Sequence, residues 1–414
     1  MIKMIRFCVN IVGIYSRCIF MVEKSTKRLT VAFIGSKGIP ARSGGVERHV
    51  QEVAQRLVRD GMDVLVYSRS WYTKNRQGNW KNIPLRFLPS VRTKHLDAIT
   101  HTALSILDAM IRKFDIIHIH GIGPALLTPL ARILTRSRIV VTLHCQDYYH
   151  QKWGLIARFA LRLGEWCAVQ CSHELIVVSR ELQRHIWATY HRSAVYIPNG
   201  ATLPTLKANP HRSTLHRLGL RPGYLLYVGR LIPHKGVHVL IEAYRAFRPK
   251  TPLIIVGAGS YTDEYVRSLK KFASPDSHIR FMGERNGAQL DALYRGASIC
   301  IQPSQSEGLS LSLLEAMSYA KPVVISAIPE NLEVMDDLRF SFHATDPKDL
   351  AHVLQWALRH PMESRRQARL NRATVRTRYH WDRIAADTIA LYARLTSPQH
   401  LPSVELLPQP VQPS

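Results

Sequence analysis

Two series of short apolar strands alternating with helices constrain this chain more than any other feature. The first opens on Leu29-Thr30-Val31-Ala32-Phe33-Ile34-Gly35, followed by the loop Ser36-Lys37-Gly38-Ile39-Pro40-Ala41-Arg42-Ser43-Gly44-Gly45. Val46, Val50, Val53, Ala54, Leu57 and Val58 then recur at helical spacing up to Asp60-Gly61, a helix stop, and residues 63–68 form the next strand. Strand, glycine loop, helix and strand in about forty residues make a βαβ unit, which requires a parallel sheet. Further strands fall at residues 115–120, 138–144, 174–179 and 194–200. A second series occupies 224–229, 253–257, 279–283, 298–301 and 322–326. The fold class is therefore α/β: two doubly wound parallel sheets, with ligands expected beyond the carboxyl ends of the strands, in a cleft where the sheets face each other.

The length agrees, since 414 residues exceed what one core usually fills. The expected division is an N-terminal extension (1–28), a first domain (29–200), a polar linker (201–220), a second domain (221–378), a C-terminal helix returning to the first domain (379–396) and a disordered tail (397–414). The first βαβ unit is Rossmann-like, but Ser68 and Arg69 stand where a dinucleotide binder needs an acid, so NAD is not expected. Residues 1–22 resemble a signal peptide, yet Arg17 interrupts the apolar run and no clean cleavage site follows; a mis-assigned start and a weak membrane-surface anchor both stay open.

Charge narrows the partners. Fifty-six Lys and Arg against 30 Asp and Glu give +26 and a pI near 10.2, a field suited to nucleic acid, an anionic membrane surface or phosphorylated ligands. The six cysteines form no C-x-x-C pair, and Cys167 and Cys171 fit one buried helix face; the pattern suits a reducing, cytoplasmic compartment without a structural zinc. No H-E-x-x-H, G-x-S-x-G or phosphate-binding G-x-x-x-x-G-K-[ST] occurs, which argues against metalloprotease, serine hydrolase and P-loop chemistry.

The chemistry concentrates in the second series. Glu307-Gly308-Leu309-Ser310 runs from a strand-end loop into a helix carrying Glu315. Free amides of Leu309 and Ser310 at a helix N-terminus suit a phosphate, and sugar hydroxyls are natural donors to the two carboxylates. Alone, the pair reads as a capped helix with two ordinary acids. Arg230 and Lys235, on the loop after the first strand of this series, could neutralise a diphosphate, Arg by its fork and Lys as a point charge. In the first half, His144 ends a strand with Asp147 three residues on, while His118 and His120 alternate with isoleucines and belong inside the fold. Arg365, Arg366, Arg369, Arg372, Arg376 and Arg378 read as a solvated helix face or a contact for anionic lipid headgroups.

The paired glutamates in E-G-L-S-(x)4-E, the G-R-L…H-K-G loop and the N-terminal G-I-P-A-R-S-G-G-V-E loop resemble retaining glycosyltransferase family 4, which has the GT-B fold. With H-x-x-D and Lys152-Trp153-Gly154, the opening loop is similar to a bacterial subgroup that builds cell-surface polysaccharides, some of whose members are rhamnosyltransferases. The resemblance covers about residues 30–395. It implies a nucleotide-sugar donor and a polyprenyl-linked or glycan acceptor, with no metal ion or other cofactor and no nucleic-acid partner. Arg230 and Lys235 would hold the diphosphate, Glu307 the transferred sugar, Glu315 the ribose, and the Gly308-Leu309-Ser310 turn the distal phosphate. Gly44 and Gly45 would approach the sugar and phosphates, His144 would sit near the reacting centre, and the backbone around Gly283 would face the base. Ser310 stands where many relatives have Gly or Pro, and Cys145-Gln146 replace the commoner Gly-Leu.

No carboxylate of the first half stands out as a covalent nucleophile, so same-face attack by the acceptor is expected in place of a double displacement. Domain closure about residues 199–220 and near Tyr379 would exclude water. The expected location is the inner face of the cytoplasmic membrane, peripherally bound. The alternatives are a sugar-nucleotide epimerase of the same fold, which needs no acceptor, and a basic nucleic-acid-binding protein, for which no binding module appears.

Overall fold

The structure is a computed structural model that describes residues 28–397 except 43, 74–76, 94, 147, 149–153, 206–210, 260, 261 and 275. The N-terminal extension, Asp147, Lys152-Trp153 and residues 398–414 lie outside the described residues.

The first sheet holds β1 (Thr30–Ile34), β2 (Asp63–Arg69), β3 (Asn79–Trp80), β4 (Ile83–Leu88), β5 (Ile116–His120), β6 (Arg138–Leu143), β7 (Glu174–Val177) and β8 (Val195–Tyr196). Its order is β3-β4-β2-β1-β5-β6-β7-β8, parallel except for the β3–β4 pair. Three strands are absent from the sequence reading: β3 and the later Ser341–Phe342, of two residues each, and β4, whose buried residues alternate with exposed Pro84 and Arg86 in place of an apolar run. The second sheet holds β9 (Tyr224–Val228), β10 (Leu253–Val256), β11 (Ile279–Gly283), β12 (Ala297–Gln302), β13 (Val323–Ser326) and β14 (Ser341–Phe342). Its order is β11-β10-β9-β12-β13-β14, with every pair parallel.

Period-two alternation decides which side chains enter which core. In the first sheet Ala32, Ile34, Ile117, Ile119, Ile139 and Val141 face one layer, which includes Ile106, Ala131 and Ala168 from the helices Leu96–Arg112, Thr128–Leu134 and Leu155–Cys171. Val31, Phe33, Ile116 and Val140 face the other, against Val50, Val53 and Leu57 of the helix Gly45–Arg59. That second core is completed from the far end of the described chain. The helix Trp381–Thr396 contributes Trp381, Ile384, Tyr392 and Leu395 to it, and lies against the helix Gly45–Arg59. Arg56 and Arg59 hold Asp382 at 2.7 and 3.1 Å. Burial pushes the Asp382 carboxyl up, but the two guanidiniums outweigh it and bring it below the usual carboxylate range.

The two passages between domains run side by side. Ala201 donates its amide to the Tyr379 carbonyl at 2.8 Å, and a Cβ on Gly200 would lie 2.8 Å from the Trp381 ring. The expected linker is shorter than its polar composition implies. Residues 211–217 form a helix whose Leu215 is buried, and Leu220 is buried beyond it. The Gly219 carbonyl accepts from Arg280 at 2.7 Å, and this helix rests on the helix Gly287–Gly296 of the second domain. Its seven residues carry too few apolar positions to register as a helical period. Among the described residues no helix is long and apolar enough to cross a membrane. Replacing buried Trp381 with Ala should destabilise the first domain by about 3–5 kcal/mol, read as a lower urea midpoint by fluorescence.

Candidate active site

In the second sheet, β9 and β12 are central neighbours whose chains continue toward opposite edges, so a crevice opens beyond their carboxyl ends. The loop after β9 crosses that crevice as a single turn, Pro233–Lys235, closed by Gly236 at φ 67°. A Cβ on Gly236 would lie 1.9 Å from the Pro303 carbonyl oxygen, so only glycine lets this loop rest on the loop after β12. Gln305 donates its amide to the His234 carbonyl at 2.8 Å and fixes the same contact. The result brings the Lys235 ammonium onto Glu307 Oε1 in a buried ion pair, with side-chain exposures of 12% and 7%.

The same Glu307 oxygen accepts from Ser304 Oγ at 2.7 Å and Gln302 Nε2 at 2.8 Å. All of these donors, Lys235 included, converge on Oε1, so Oε2 is available to a ligand hydroxyl. Burial pushes the Glu307 carboxyl up, but Lys235, Ser304 and Gln302 together hold it below its ordinary value, so it is ionised at neutral pH. Ser312 Oγ donates to Gln302 Oε1 at 3.1 Å and orients that amide. Buried Ser304 and Gln302 carry no motif signature; the only sequence signal for them is a polar pair closing an apolar strand.

The helix Leu311–Ser318 starts at Ser310, whose hydroxyl accepts from the Leu313 amide at 3.4 Å. Ser310 is thus an N-cap, which makes serine a physically adequate choice where glycine or proline is common. Glu315 accepts from Tyr294 at 3.1 Å. Burial raises its carboxyl above the ordinary value, opposed by Arg48 of the first domain and by the Tyr294 hydroxyl. Arg230 is exposed, and its carbonyl accepts from the buried Tyr227 hydroxyl at 3.0 Å. Gly283 stands apart from this group: it ends the edge strand β11, two strands from β9.

The first domain meets this site through backbone and histidines. A Cβ on Gly308 would lie 1.6 Å from the His144 carbonyl oxygen, and one on Gly45 3.5 Å from Leu311. Gly44, at φ 102°, caps the helix Gly45–Arg59 with no room for a side chain beside Glu47. Asn199 donates to the Leu309 carbonyl at 2.8 Å while its oxygen meets His49 Nδ1 at 2.9 Å, a link across the cleft that no motif predicts. His144 Nε2 lies 3.2 Å from His120 Nδ1, and His118 bridges Thr142 and Tyr392 at 2.6 and 2.5 Å. Burial lowers His49 to about 4, and His118 and His120 well below their usual value, so all three are neutral. Among the described residues no group of three or more His, Cys, Asp or Glu is arranged to hold a metal ion.

A second contact closes the cleft nearby. Glu333 accepts from the Arg180 amide at 2.7 Å and from the Tyr196 hydroxyl at 2.5 Å. Of the residues singled out in the sequence, Lys235, Glu307, Gly308, Leu309, Ser310, Gly45 and His144 converge; Arg230 and Glu315 flank them. Five arginines of the run are exposed; the sixth, Arg372, donates to the carbonyls of Ser318 and Pro204, tying the second domain to the crossing chain.

Two outcomes follow. Gly308→Ala should wedge the domains apart, lowering transfer by more than about tenfold and enlarging the radius of gyration in solution scattering. Acidification should destabilise the protein as pH falls from ~6.5 toward about 4, because the unfolded histidines take protons that the buried, neutral ones refuse. His49→Gln should flatten part of that slope in thermal melts recorded across pH.

Comparison with known proteins accounts for both halves. Residues 43–203 match the model described as Glycosyltransferase Family 4, and residues 216–374 the model described as Glycosyl transferases group 1. The phosphatidyl-myo-inositol mannosyltransferase of Mycobacterium leprae is 27% identical over 366 residues, 84% of this chain and 92% of that protein. The O-antigen chain mannosyltransferase B of Escherichia coli is 34% identical over 141 residues, 32% of this chain and 36% of that protein. Among solved structures, a sucrose-phosphate synthase from Thermosynechococcus elongatus superposes with a TM-score of 0.77 at 21% identity, covering 89% of this chain and 99% of that one. HepE of Anabaena, in complex with UDP and glucose, superposes at 0.74 with 19% identity over 88% and 100%. Both sheets, the cleft between them and a family match spanning most of the chain agree: the protein belongs to glycosyltransferase family 4, has the GT-B fold, and is a nucleotide-sugar-dependent glycosyltransferase.

Proposed function

We propose that this enzyme transfers a sugar, with retention, from a nucleoside diphosphate to a lipid-linked or glycan acceptor in cell-surface polysaccharide synthesis, bound peripherally at the inner membrane face. The observation that carries the reading is the buried Lys235–Glu307 pair at the switch point of the second sheet, with the first domain seated on Gly308. Relatives named for O-antigen synthesis support the acceptor class.

Each group has a role. Lys235 and exposed Arg230 supply the positive charge that meets the departing diphosphate, and the amides of Leu309 and Ser310, at a helix N-terminus, receive its distal phosphate. Ionised Glu307 holds a hydroxyl of the transferred sugar through Oε2, while Glu315 faces the ribose. The acceptor oxygen bonds to the anomeric carbon on the face from which the phosphate oxygen leaves, and the acceptor proton passes to that oxygen. No metal or other cofactor is required by this scheme. His144 sits beside the reacting centre, next to His49, His118 and His120, which burial keeps neutral.

Lys235→Ala and Glu307→Gln should each lower kcat/KM by about 10²–10³, measured against a panel of nucleotide sugars. The Lys235→Ala, Glu307→Gln double variant should be little worse than either single one, since the two side chains act as one unit. Full activity of Lys235→Ala or Glu307→Ala would overturn the site.

A further inference from the structure

The helix Leu155–Cys171 carries its apolar side chains on the wrong face for an ordinary surface helix. It buries Gly164, Glu165, Cys167, Ala168 and Val169. It turns Leu155, Ile156, Phe159 and Trp166 outward, exposed by 83%, 88%, 70% and 47%. Those four recur at one helical face, where solvated residues are expected. Rotation to hide them is blocked, because a Cβ on Gly164 would lie 2.3 Å from the Ile122 carbonyl oxygen, so the inner face is already in backbone contact.

The neighbouring helices of the same layer extend the patch. Thr128–Leu134 exposes Ile133 and Leu96–Arg112 exposes Ile111, and each lies beside the next. Among the described residues the second domain exposes only four large apolar side chains, spread over three elements. Exposed Arg132, Arg136 and Arg162 stand on or just beyond the same helices. The acids of this layer are engaged inward. Glu165 accepts from Tyr190 at 2.8 Å and lies 3.0 Å from His185 Nε2, and Asp108 accepts from Tyr67 at 2.8 Å and Arg112 at 2.7 Å.

From this geometry we infer that the outer face of these three helices is the docking surface for an anionic lipid bilayer, with Ile156, Phe159 and Trp166 entering the headgroup region and the arginines meeting lipid phosphates. The inference deepens the peripheral-membrane reading above and rests on it, and it moves the lipid contact from the arginine run of the second domain to the first. Charge decides the occupant: a second copy would set this cationic border against itself, whereas an anionic surface is complementary to both components. An apolar face rimmed by cations, with an aromatic at its margin, is the composition of interfacial helices.

The test uses the full chain without donor or acceptor, and vesicles of phosphatidylcholine with or without about 30% phosphatidylglycerol. The wild-type protein should sediment with the anionic vesicles, less so at high salt, with a blue shift of tryptophan emission that Trp166→Phe diminishes. The double variant Ile156→Ser, Phe159→Ser should weaken partitioning by at least about tenfold with an unchanged melting temperature, both side chains being solvent-exposed. Arg132→Glu with Arg136→Glu should weaken binding to the anionic vesicles alone. Wild-type protein left in the supernatant, or a double variant that sediments normally, would overturn the assignment. So would a dimer in light scattering that the double variant dissolves, which would give the face to a second copy. Transfer to a free glycan without vesicle binding would sink this surface alone, and vesicle binding without transfer the enzymatic reading alone.

Discussion

A carboxylate and an ammonium buried together hold the candidate active site in shape. Removing two charges from water costs several kcal/mol per ion, recovered only when geometry and further hydrogen bonds are good. Here Ser304 and Gln302 complete the Glu307 oxygen that Lys235 also holds, and Ser312 steadies Gln302. The arrangement brings three chain segments to one point: the turn after β9, the end of β12 and the first turn of the helix Leu311–Ser318. Gly236 makes that convergence possible, since any larger residue would hold the two loops apart. The pair is thus a consequence of backbone contact as much as of charge.

The first domain touches this structure almost wholly through main chain and neutral rings. Gly308 under the His144 carbonyl and Asn199 on the Leu309 carbonyl align the two halves, and neither contact adds charge to the cleft. Electrostatic division of labour results. The second domain carries the charged groups suited to a diphosphate, and the first adds Arg48 beside Glu315 together with His49, His118 and His120, which burial keeps neutral. Glu330 adds a contrasting note: burial pushes its carboxyl up to about 7, with Glu307, Glu181 and Glu333 pushing the same way. Burial first, and the neighbouring acids after it, thus bring one carboxyl of this region to titrate near neutrality.

Much of the fold was legible because parallel sheets are written as uninterrupted apolar runs; β4 (Ile83–Leu88) escaped because its buried residues alternate with exposed Pro84 and Arg86. Lys235, Glu307 and Ser310 were singled out because the H-K-G and E-G-L-S stretches that hold them are contiguous in the chain. What escaped shares a physical cause. Asn199 and His49 meet across 150 positions, while Gln302 and Ser304 reach Glu307 within five, and in both cases single polar residues leave no period or spacing. The helix 211–217 escaped for a different reason, being shorter than two full turns of apolar repeat. The outward apolar stripe of Leu155–Cys171 was hidden because periodicity marks an apolar face without saying whether it turns in or out.

The return of the helix Trp381–Thr396 bears on the order in which the molecule is built. Its Trp381, Ile384 and Tyr392 fill the same core as Val31 and Phe33, strands that leave the ribosome some 350 residues earlier. The residues of the second domain therefore precede this helix in the chain, and until it is made the first domain lacks part of one layer, the rest being supplied by the helix Gly45–Arg59. The nascent first domain must wait with one face of its sheet half covered, and the final helix acts as a seal that registers both domains as finished.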